Sequence, residues 1–252
     1  MRVIQILPQL NIGGVERGTL DLSRALIEQG HESFVISGGG ILVDELIKSG
    51  AKHYEIPVHI KSLRTLYLAK SLSEKISSID PDIVHVRSRM PAWVNYRAFK
   101  MLQKKPLLIS TFHGLYSFPI YSKVMSFVDH SIAISKTVEM YILENYKLDK
   151  DDITVIPRGC DPIEFNNDVI NPVDKANIIK EFPQIVGKKI LTIPGRITKW
   201  KGVAEFIELL SLLDDNYHGL IVGPTAKSKK KYLNKLQNRV SSLNLEDKIT
   251  FT

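Results

Sequence analysis

Residues 1–30 read MRVIQILPQLNIGGVERGTLDLSRALIEQG, and the order of their parts predicts the fold. The run Val3–Leu7 is apolar and rich in β-branched residues, which is typical of a buried strand. Gly13 and Gly14 then supply a turn, and Val15–Gln29 carries apolar residues at helical spacing. A buried strand, a glycine turn and an amphipathic helix together form the repeating unit of a parallel α/β sheet.

The same alternation of short apolar runs and longer helical patterns continues through residues 1–165. Parallel strands are buried on both faces, so continuous apolar runs favour a parallel over an antiparallel sheet. Further strands are predicted at Phe34–Ser37, Ile83–Val86, Leu107–Thr111, Ser131–Ile134 and Ile153–Ile156. The helices between them are predicted at Ile41–Ser49, Leu63–Ile79, Ala92–Gln103, Ile120–Phe127 and Thr137–Tyr146. We therefore expect a Rossmann-like, doubly wound domain.

The pattern fades into Asn, Asp, Pro and charged residues after Asp161, and we place an interdomain linker at residues 166–186. It restarts in residues 187–252, with strands predicted at Lys189–Ile193, Gly219–Val222 and Lys248–Phe251 and helices at Val203–Leu213 and Lys229–Leu243. Three strands and two helices leave a sheet edge and much of one face uncovered. We therefore expect α/β architecture throughout, with one complete Rossmann-like domain and an incomplete second one.

Composition excludes several classes of protein. The 252 residues include 44% hydrophobic and 24% charged residues, which is ordinary for a globular protein. A single cysteine, Cys160, cannot form an intrachain disulfide or a cysteine-based metal cluster. The N-terminus lacks a signal-peptide pattern, and no apolar stretch approaches the roughly 18 residues of a membrane span. We expect a cytoplasmic protein that is able to lie peripherally on the membrane.

The formal net charge of +7 suits phosphorylated substrates or an anionic membrane surface, and it also suits mere solubility. Nucleic-acid binding is disfavoured because no recognised motif accompanies the charge. The Gly13–Gly14 turn opens a helix, where free backbone N–H groups attract anions, although a plain turn stays open as an alternative. The G-x-G-x-x-G and P-loop patterns are both missing, which disfavours dinucleotide-binding and P-loop proteins.

Two histidines lie in or after predicted strands. His113 follows Leu107–Thr111 directly and precedes Gly114, where a substrate can reach it. Its imidazole could donate to a sugar hydroxyl or a phosphate, although a capping or core role stays open. His85 lies inside the strand Ile83–Val86, and we interpret it as structural.

The strongest signal is the stretch 193–203, IPGRITKWKGV, in which a strand ends, a glycine turn follows and a helix begins. Arg196 offers a planar fork for phosphate oxygens, and Lys201 a mobile point charge. The helix N-terminus adds its dipole. Together these groups could hold a diphosphate, whereas the alternative is a solvated surface with no ligand.

Five short motifs occur in an order and spacing that resemble glycosyltransferase family 4, retaining enzymes of the two-Rossmann-domain (GT-B) type. They are Asn11–Glu16 (NIGGVE), Thr111–Gly114 (TFHG), Ile132–Ser135 (IAIS), Val155–Asp161 (VIPRGCD) and Pro194–Gly202 (PGRITKWKG). The resemblance extends over nearly the whole chain. The family includes lipopolysaccharide-core glucosyltransferases and mannosyltransferases, so the resemblance implies hexosyl transfer to a cell-envelope glycan or lipid.

The resemblance also implies roles for individual residues. The donor, a nucleotide-diphosphate sugar, would lie in the cleft between the domains, with Arg196 and Lys201 on its diphosphate. Gly13 and Gly14 would face the same phosphates and the sugar. His113, the implied catalytic residue, would contact the transferring sugar or the acceptor. No metal or other cofactor is expected, and retention would follow from attack on the face that the leaving group departs from.

The chain departs from the family pattern in three ways. Arg158 stands where the family's turn has asparagine, and Cys160 stands where it has a small apolar residue. With Glu16, Arg158 is a candidate to line the cleft. The family's E-x7-E motif is absent from these residues, which implies a C-terminally truncated chain. A catalytically inactive relative that binds nucleotide or glycan therefore stays open as an alternative.

Overall fold

The computed structural model describes residues 1–60, 63–116, 119–163, 165–166, 171–225 and 229–252. The chain divides into two compact units, Met1–Asp161 (unit 1) and Pro162–Thr252 (unit 2). Residues 167–170 of the predicted linker lie outside the described residues. Within the described residues, no helix is both long enough and apolar enough to cross a membrane.

Unit 1 is built on a seven-stranded sheet in which all the paired strands run parallel, in the order β3-β2-β1-β4-β5-β6-β7. The strands are β1 (Arg2–Ile6), β2 (Glu32–Ser37), β3 (Lys52–Glu55), β4 (Ile83–Val86), β5 (Leu107–Phe112), β6 (His130–Ala133) and β7 (Ile153–Val155). This confirms the predicted parallel α/β sheet. The sequence analysis missed β3, whose KHYE sequence is polar because it lies at the sheet edge.

Helices connect the strands of unit 1. They are α1 (Gly14–Glu28), α2 (Val43–Lys48), α3 (Ala69–Ile79), α4 (Arg89–Phe99), α5 (Pro119–Ser122) and α6 (Lys136–Asn145). The side chain of Ser135 begins α6 by accepting a hydrogen bond from the backbone N–H of Val138 at 3.2 Å. The single helix predicted for Leu63–Ile79 is in fact a 3₁₀ helix, Leu63–Leu68, followed by α3.

The two faces of the sheet bury separate apolar clusters. Successive side chains of a strand point to opposite faces, so Phe34 and Ile36 of β2 pack into the larger cluster and Val35 into the smaller one. The larger cluster also takes Leu72 of α3. The smaller one takes Leu20 of α1. Burial on both faces explains why the strands appear in the sequence as continuous apolar runs.

Unit 2 contains a three-stranded parallel sheet in the order β10-β9-β8. Its elements are α7 (Pro172–Glu181), β8 (Lys189–Pro194), α8 (Val203–Ser211), β9 (Tyr217–Val222), α9 (Lys230–Ser242) and β10 (Ile249–Phe251), with short 3₁₀ turns between. Helix α7 lies in the segment assigned to the linker. Asn171 caps it by accepting from the backbone N–H of Val173 at 2.9 Å, and Pro172 fits the first turn.

Replacing Ile36 by alanine should lower the free energy of unfolding by about 2–5 kcal/mol, since the fully buried side chain would leave a cavity in the larger cluster. The matched control is Ile41→Ala, at a position that is 67% exposed and should change stability by less than about 0.5 kcal/mol. Urea unfolding followed by circular dichroism measures both. Equal losses for the two variants would contradict the assignment of the core.

Candidate functional site

The parallel sheet of unit 1 brings distant residues to one edge. Strands β1, β4 and β5 are neighbours, and the chain continues from their carboxyl ends towards the Gly13–Gly14 turn, to Arg87 and to His113. The segment after β7 adds Arg158. In open α/β sheets, ligands bind at this carboxyl edge. We call Gly13, Gly14, Glu16, Arg87, His113 and Arg158 the unit 1 cluster.

Arg158 connects the glycine turn to His113. Its Nη1 donates to the carbonyl oxygen of Gly14, and its Nη2 donates to Nδ1 of His113 at 3.0 Å. A Cβ atom on Gly14 would lie 2.5 Å from Nη1 of Arg158, so the guanidinium fits there only because residue 14 is glycine. The structure thus brings together Gly14, His113 and Arg158, three residues that the sequence analysis selected separately.

The contacts of His113 define its protonation state. An arginine can only donate, so Nδ1 of His113 must accept and the proton of the neutral ring lies on Nε2. Burial, with the charges of Arg87 and Arg158, lowers the pKa of His113 from its ordinary value of 6.5 to about 3. Its backbone N–H donates to the hydroxyl of Tyr116 at 3.3 Å. Among the described residues, the buried Nε2 has no hydrogen-bond partner.

Arg87 is a member of the cluster that the sequence analysis missed. It follows β4 directly and is only 6% exposed, and its Nη1 donates to Oε1 of Gln5 at 2.7 Å. Burial, together with the charge of Arg158, lowers its pKa to about 10, while Asp21 and Glu16 oppose the shift. A charged residue directly after a buried strand was the available signal. His85 lies in the same strand; it is buried and pairs with Thr111 at 2.7 Å, which fits the structural role predicted for it.

Glu16 supplies the negative charge of the cluster. It lies in the first turn of α1, and its carboxylate would collide with a Cβ atom on Gly13. The carboxylate therefore covers the face of Gly13. An acidic group at this end of a helix is favoured by the helix dipole. Glu16 accordingly belongs to the same cluster as the glycine turn.

The turn after β8 is the corresponding feature of unit 2. Gly195, at φ 143°, donates its N–H to the carbonyl oxygen of Val222 at 2.8 Å. A Cβ atom on Gly223 would collide with the carbonyl oxygen of Gly195, so glycine is required where these two strand ends meet. The aliphatic stem of Lys201 lies over Gly195, with Cε 3.5 Å from the position of a Cβ atom there.

The two cations of this turn are accessible. Arg196 and Lys201 are both exposed, and Nζ of Lys201 lies 4.5 Å from the ring centroid of Trp200. Gly202, at φ 75°, follows Lys201 and precedes α8, so Lys201 lies directly before the N-terminus of that helix in the chain. The side-chain oxygen of Thr198 is buried, with no hydrogen-bond partner in the part of the chain that the structure describes. The turn therefore presents two exposed cations and contains one buried hydroxyl without a described partner.

The predicted site residues thus form two sets. Gly13, Gly14, Glu16, His113 and Arg158 lie at the carboxyl edge of unit 1, and Arg196 and Lys201 lie in one turn of unit 2. Within the described ranges, no group of three His, Cys, Asp or Glu side chains is placed to hold a metal ion. The roles that the resemblance implies for these residues stay predictions.

Comparison with known families gives two matches that together cover most of the chain. A family model described as Glycosyltransferase Family 4 matches residues 12–164, and one described as Glycosyl transferases group 1 matches residues 174–252. One subunit of the human phosphatidylinositol N-acetylglucosaminyltransferase is 25% identical over 203 residues, which make up 74% of this chain. That match covers only 42% of the human protein.

Solved structures of glycosyltransferases are also similar to this chain. The crystal structure of a glycosyltransferase from Rickettsia africae is 33% identical, with a TM-score of 0.84, covering 100% of this chain and 67% of that one. Anabaena HepE in complex with UDP-glucose is 16% identical, with a TM-score of 0.83, covering 100% of this chain and 68% of that one. The second likeness shows the fold, which is that of GT-B glycosyltransferases.

We expect the NMR signals of His113 to show no titration between about pH 5 and 8, because its pKa lies near 3. Arg158→Ala should raise that pKa, since it removes one of the two cations that lower it, while burial keeps it below the ordinary value. Nitrogen-15 shifts should place the proton on Nε2. A titration of His113 in the native chain near its ordinary pKa of 6.5 would contradict the assignment.

The lowered pKa also predicts how stability depends on pH. Between about pH 3 and 6.5 the unfolded chain binds a proton at His113 and the folded chain does not. His113 therefore contributes a fall in the free energy of unfolding as pH falls through this window. His113→Asn should make that fall shallower, as measured by urea unfolding at several pH values.

Proposed function

This chain belongs to Glycosyltransferase Family 4, and from that membership we propose that it transfers a hexosyl group from a nucleotide-diphosphate sugar. The acceptor is a glycan or lipid of the cell envelope, and the configuration at the anomeric carbon is retained. The match covers less than half of the human relative and about two thirds of the Rickettsia structure. Donor, acceptor and stereochemistry are therefore all part of the proposal.

The observation that carries the proposal is the turn after β8. Arg196 and Lys201 are both exposed, and Lys201 lies beside the N-terminus of α8. A guanidinium fork suits two phosphate oxygens, and an ammonium group adds a movable charge. Together these groups hold the diphosphate of the donor without a metal ion. The UDP-glucose complex of Anabaena HepE, which has the same fold, makes a UDP sugar the first donor to test.

The reaction breaks the bond between the anomeric carbon and the β-phosphate oxygen of the donor. An acceptor hydroxyl forms the new bond on the same face, and its proton passes to the departing phosphate oxygen. Negative charge therefore grows on the diphosphate as the bond lengthens. Arg196 and Lys201 stabilise that charge, which is how fixed cations accelerate such a transfer.

His113 takes part as a hydrogen-bond donor. With its proton on Nε2 and a pKa of about 3, the ring is neutral near pH 7 and has a donor free for a ligand. An oxygen atom of the transferring sugar or of the glycosyl acceptor is a suitable hydrogen-bond acceptor for this N–H. Proton abstraction at Nδ1 is disfavoured because Arg158 occupies that nitrogen.

Binding and hydrolysis assays test the proposal as a whole. The purified chain is incubated with UDP-sugars and GDP-sugars, and saturable binding and slow release of free sugar are measured. Saturable binding together with release supports a transferase. Binding without release supports the alternative of an inactive nucleotide-binding relative, and the absence of binding to every donor contradicts both.

Arg196→Ala should weaken UDP binding by roughly tenfold to a hundredfold, because it removes two charge-assisted hydrogen bonds to the diphosphate. Lys201→Ala should have a smaller effect of the same kind. Isothermal titration calorimetry measures both affinities. Uridine should bind the native chain and Arg196→Ala equally, because it has no phosphate.

The matched control is Lys199→Ala, which removes an exposed cation from the same turn. Its UDP affinity should stay within about twofold of native, apart from a weak general effect of charge. Equal losses in Lys199→Ala and Arg196→Ala would show that the turn attracts the nucleotide only through its overall charge. An unchanged affinity in Arg196→Ala would remove this residue from the site.

A further inference from the structure

We propose that Arg87, Arg158 and His113 form a second anion-binding site, within unit 1, that takes one phosphate or carboxylate group of the acceptor. The identification of the ligand as the glycosyl acceptor rests on the proposed function, whereas the anion site itself rests on contacts within unit 1. The inference is carried by three groups that all donate hydrogen bonds. None of their direct partners described above carries a negative charge.

Arg87 is the buried cation of this site. It is 6% exposed, and its Nη1 donates to a neutral amide oxygen, Oε1 of Gln5. Its Nε is buried and has no hydrogen-bond partner among the described residues. Burying a guanidinium is unfavourable unless an anion compensates it. The arrangement therefore suits a protein whose bound state supplies that anion.

Arg158 is the exposed cation, and it too has neutral partners. Its two terminal nitrogens donate to the carbonyl oxygen of Gly14 and to Nδ1 of His113. It is close enough to Arg87 to lower the pKa of that group. Two arginines held near each other repel, and an anion between them would relieve the repulsion.

His113 contributes a third donor in a fixed orientation. Because Nδ1 accepts from Arg158, the Nε2–H has to donate, and this nitrogen is buried and unpartnered among the residues described. Protonation would add a third positive charge to the cluster. Burial, together with the charges of the two arginines, prevents it. His113 therefore favours a ligand atom that accepts a hydrogen bond and adds no charge to the site.

Negative charge near the cluster comes from Glu16 and Asp21, which act on Arg87 through space. Asp21 forms a salt bridge with Arg17, with its Oδ1 3.6 Å from Nε of that residue. Glu16 lies over Gly13 and opposes one of the two positive charges. One of the two arginine charges therefore stays uncompensated, and one negative charge of a ligand would neutralise it. A single phosphate or carboxylate fits that balance better than a neutral sugar does.

The 252-residue chain is used to test this site, with inorganic phosphate and acetate as probes. Each anion is titrated in the presence of saturating UDP and followed through the NMR signals of His113. Arg158→Gln removes the charge but keeps an amide N–H for Nδ1 of His113, so it separates charge from tautomer. Arg97→Gln removes an exposed arginine from the last turn of α4 and is the matched control.

We expect at least one of the two anions to bind while UDP is bound. Arg158→Gln should raise its Kd about tenfold or more, whereas the Kd of UDP should stay within about twofold. Arg97→Gln should leave both values unchanged. Tighter binding of phosphate would favour a phosphate group on the acceptor, and tighter binding of acetate would favour a carboxylate.

Three results would overturn the inference. They are the absence of binding by either anion, equal effects of Arg158→Gln and Arg97→Gln, and displacement of the anion by UDP, which would make this a donor subsite. The proposed function fails separately. If UDP does not bind but anion binding in its absence depends on Arg158, the anion site stands and the donor assignment is wrong.

Discussion

All seven strands of unit 1 run parallel, and this constraint places every one of their carboxyl ends at the same edge of the sheet. Residues as far apart in sequence as Gly14 and Arg158 meet there through a direct hydrogen bond. Glycine at position 14 permits that contact, since a side chain would occupy the place of the guanidinium. The cluster therefore depends on the order of the parallel strands and on glycine at position 14, which has no Cβ atom to displace the guanidinium.

Two arginines determine what chemistry this edge can perform. Together with burial, they keep His113 neutral, and Arg158 also fixes which of its nitrogens carries the proton. The imidazole consequently carries its N–H on Nε2, where no described residue accepts it. The two guanidinium groups make this edge positively charged, as the binding of an anion that we propose would require. In unit 2, the turn after β8 also carries two positively charged side chains, Arg196 and Lys201.

The sequence predicted the parallel sheet well, because strands buried on both faces have continuous apolar runs and glycine punctuates their ends. It failed at β3, a polar edge strand, and at α7, where Asn171 and Pro172 form a start signal inside a polar segment. At the site, motif positions led to His113 and the glycines. Arg87 was not predicted because it is notable for being buried, and the sequence shows only a charged residue after a strand, not its burial.

We propose that the turn after β8 holds a donor diphosphate through fixed positive charge. A crystal structure of the chain with UDP-glucose would show where the diphosphate binds. We expect diphosphate oxygens within about 3 Å of the Arg196 guanidinium and the Lys201 ammonium group. An ordered nucleotide whose diphosphate contacts neither side chain would contradict it.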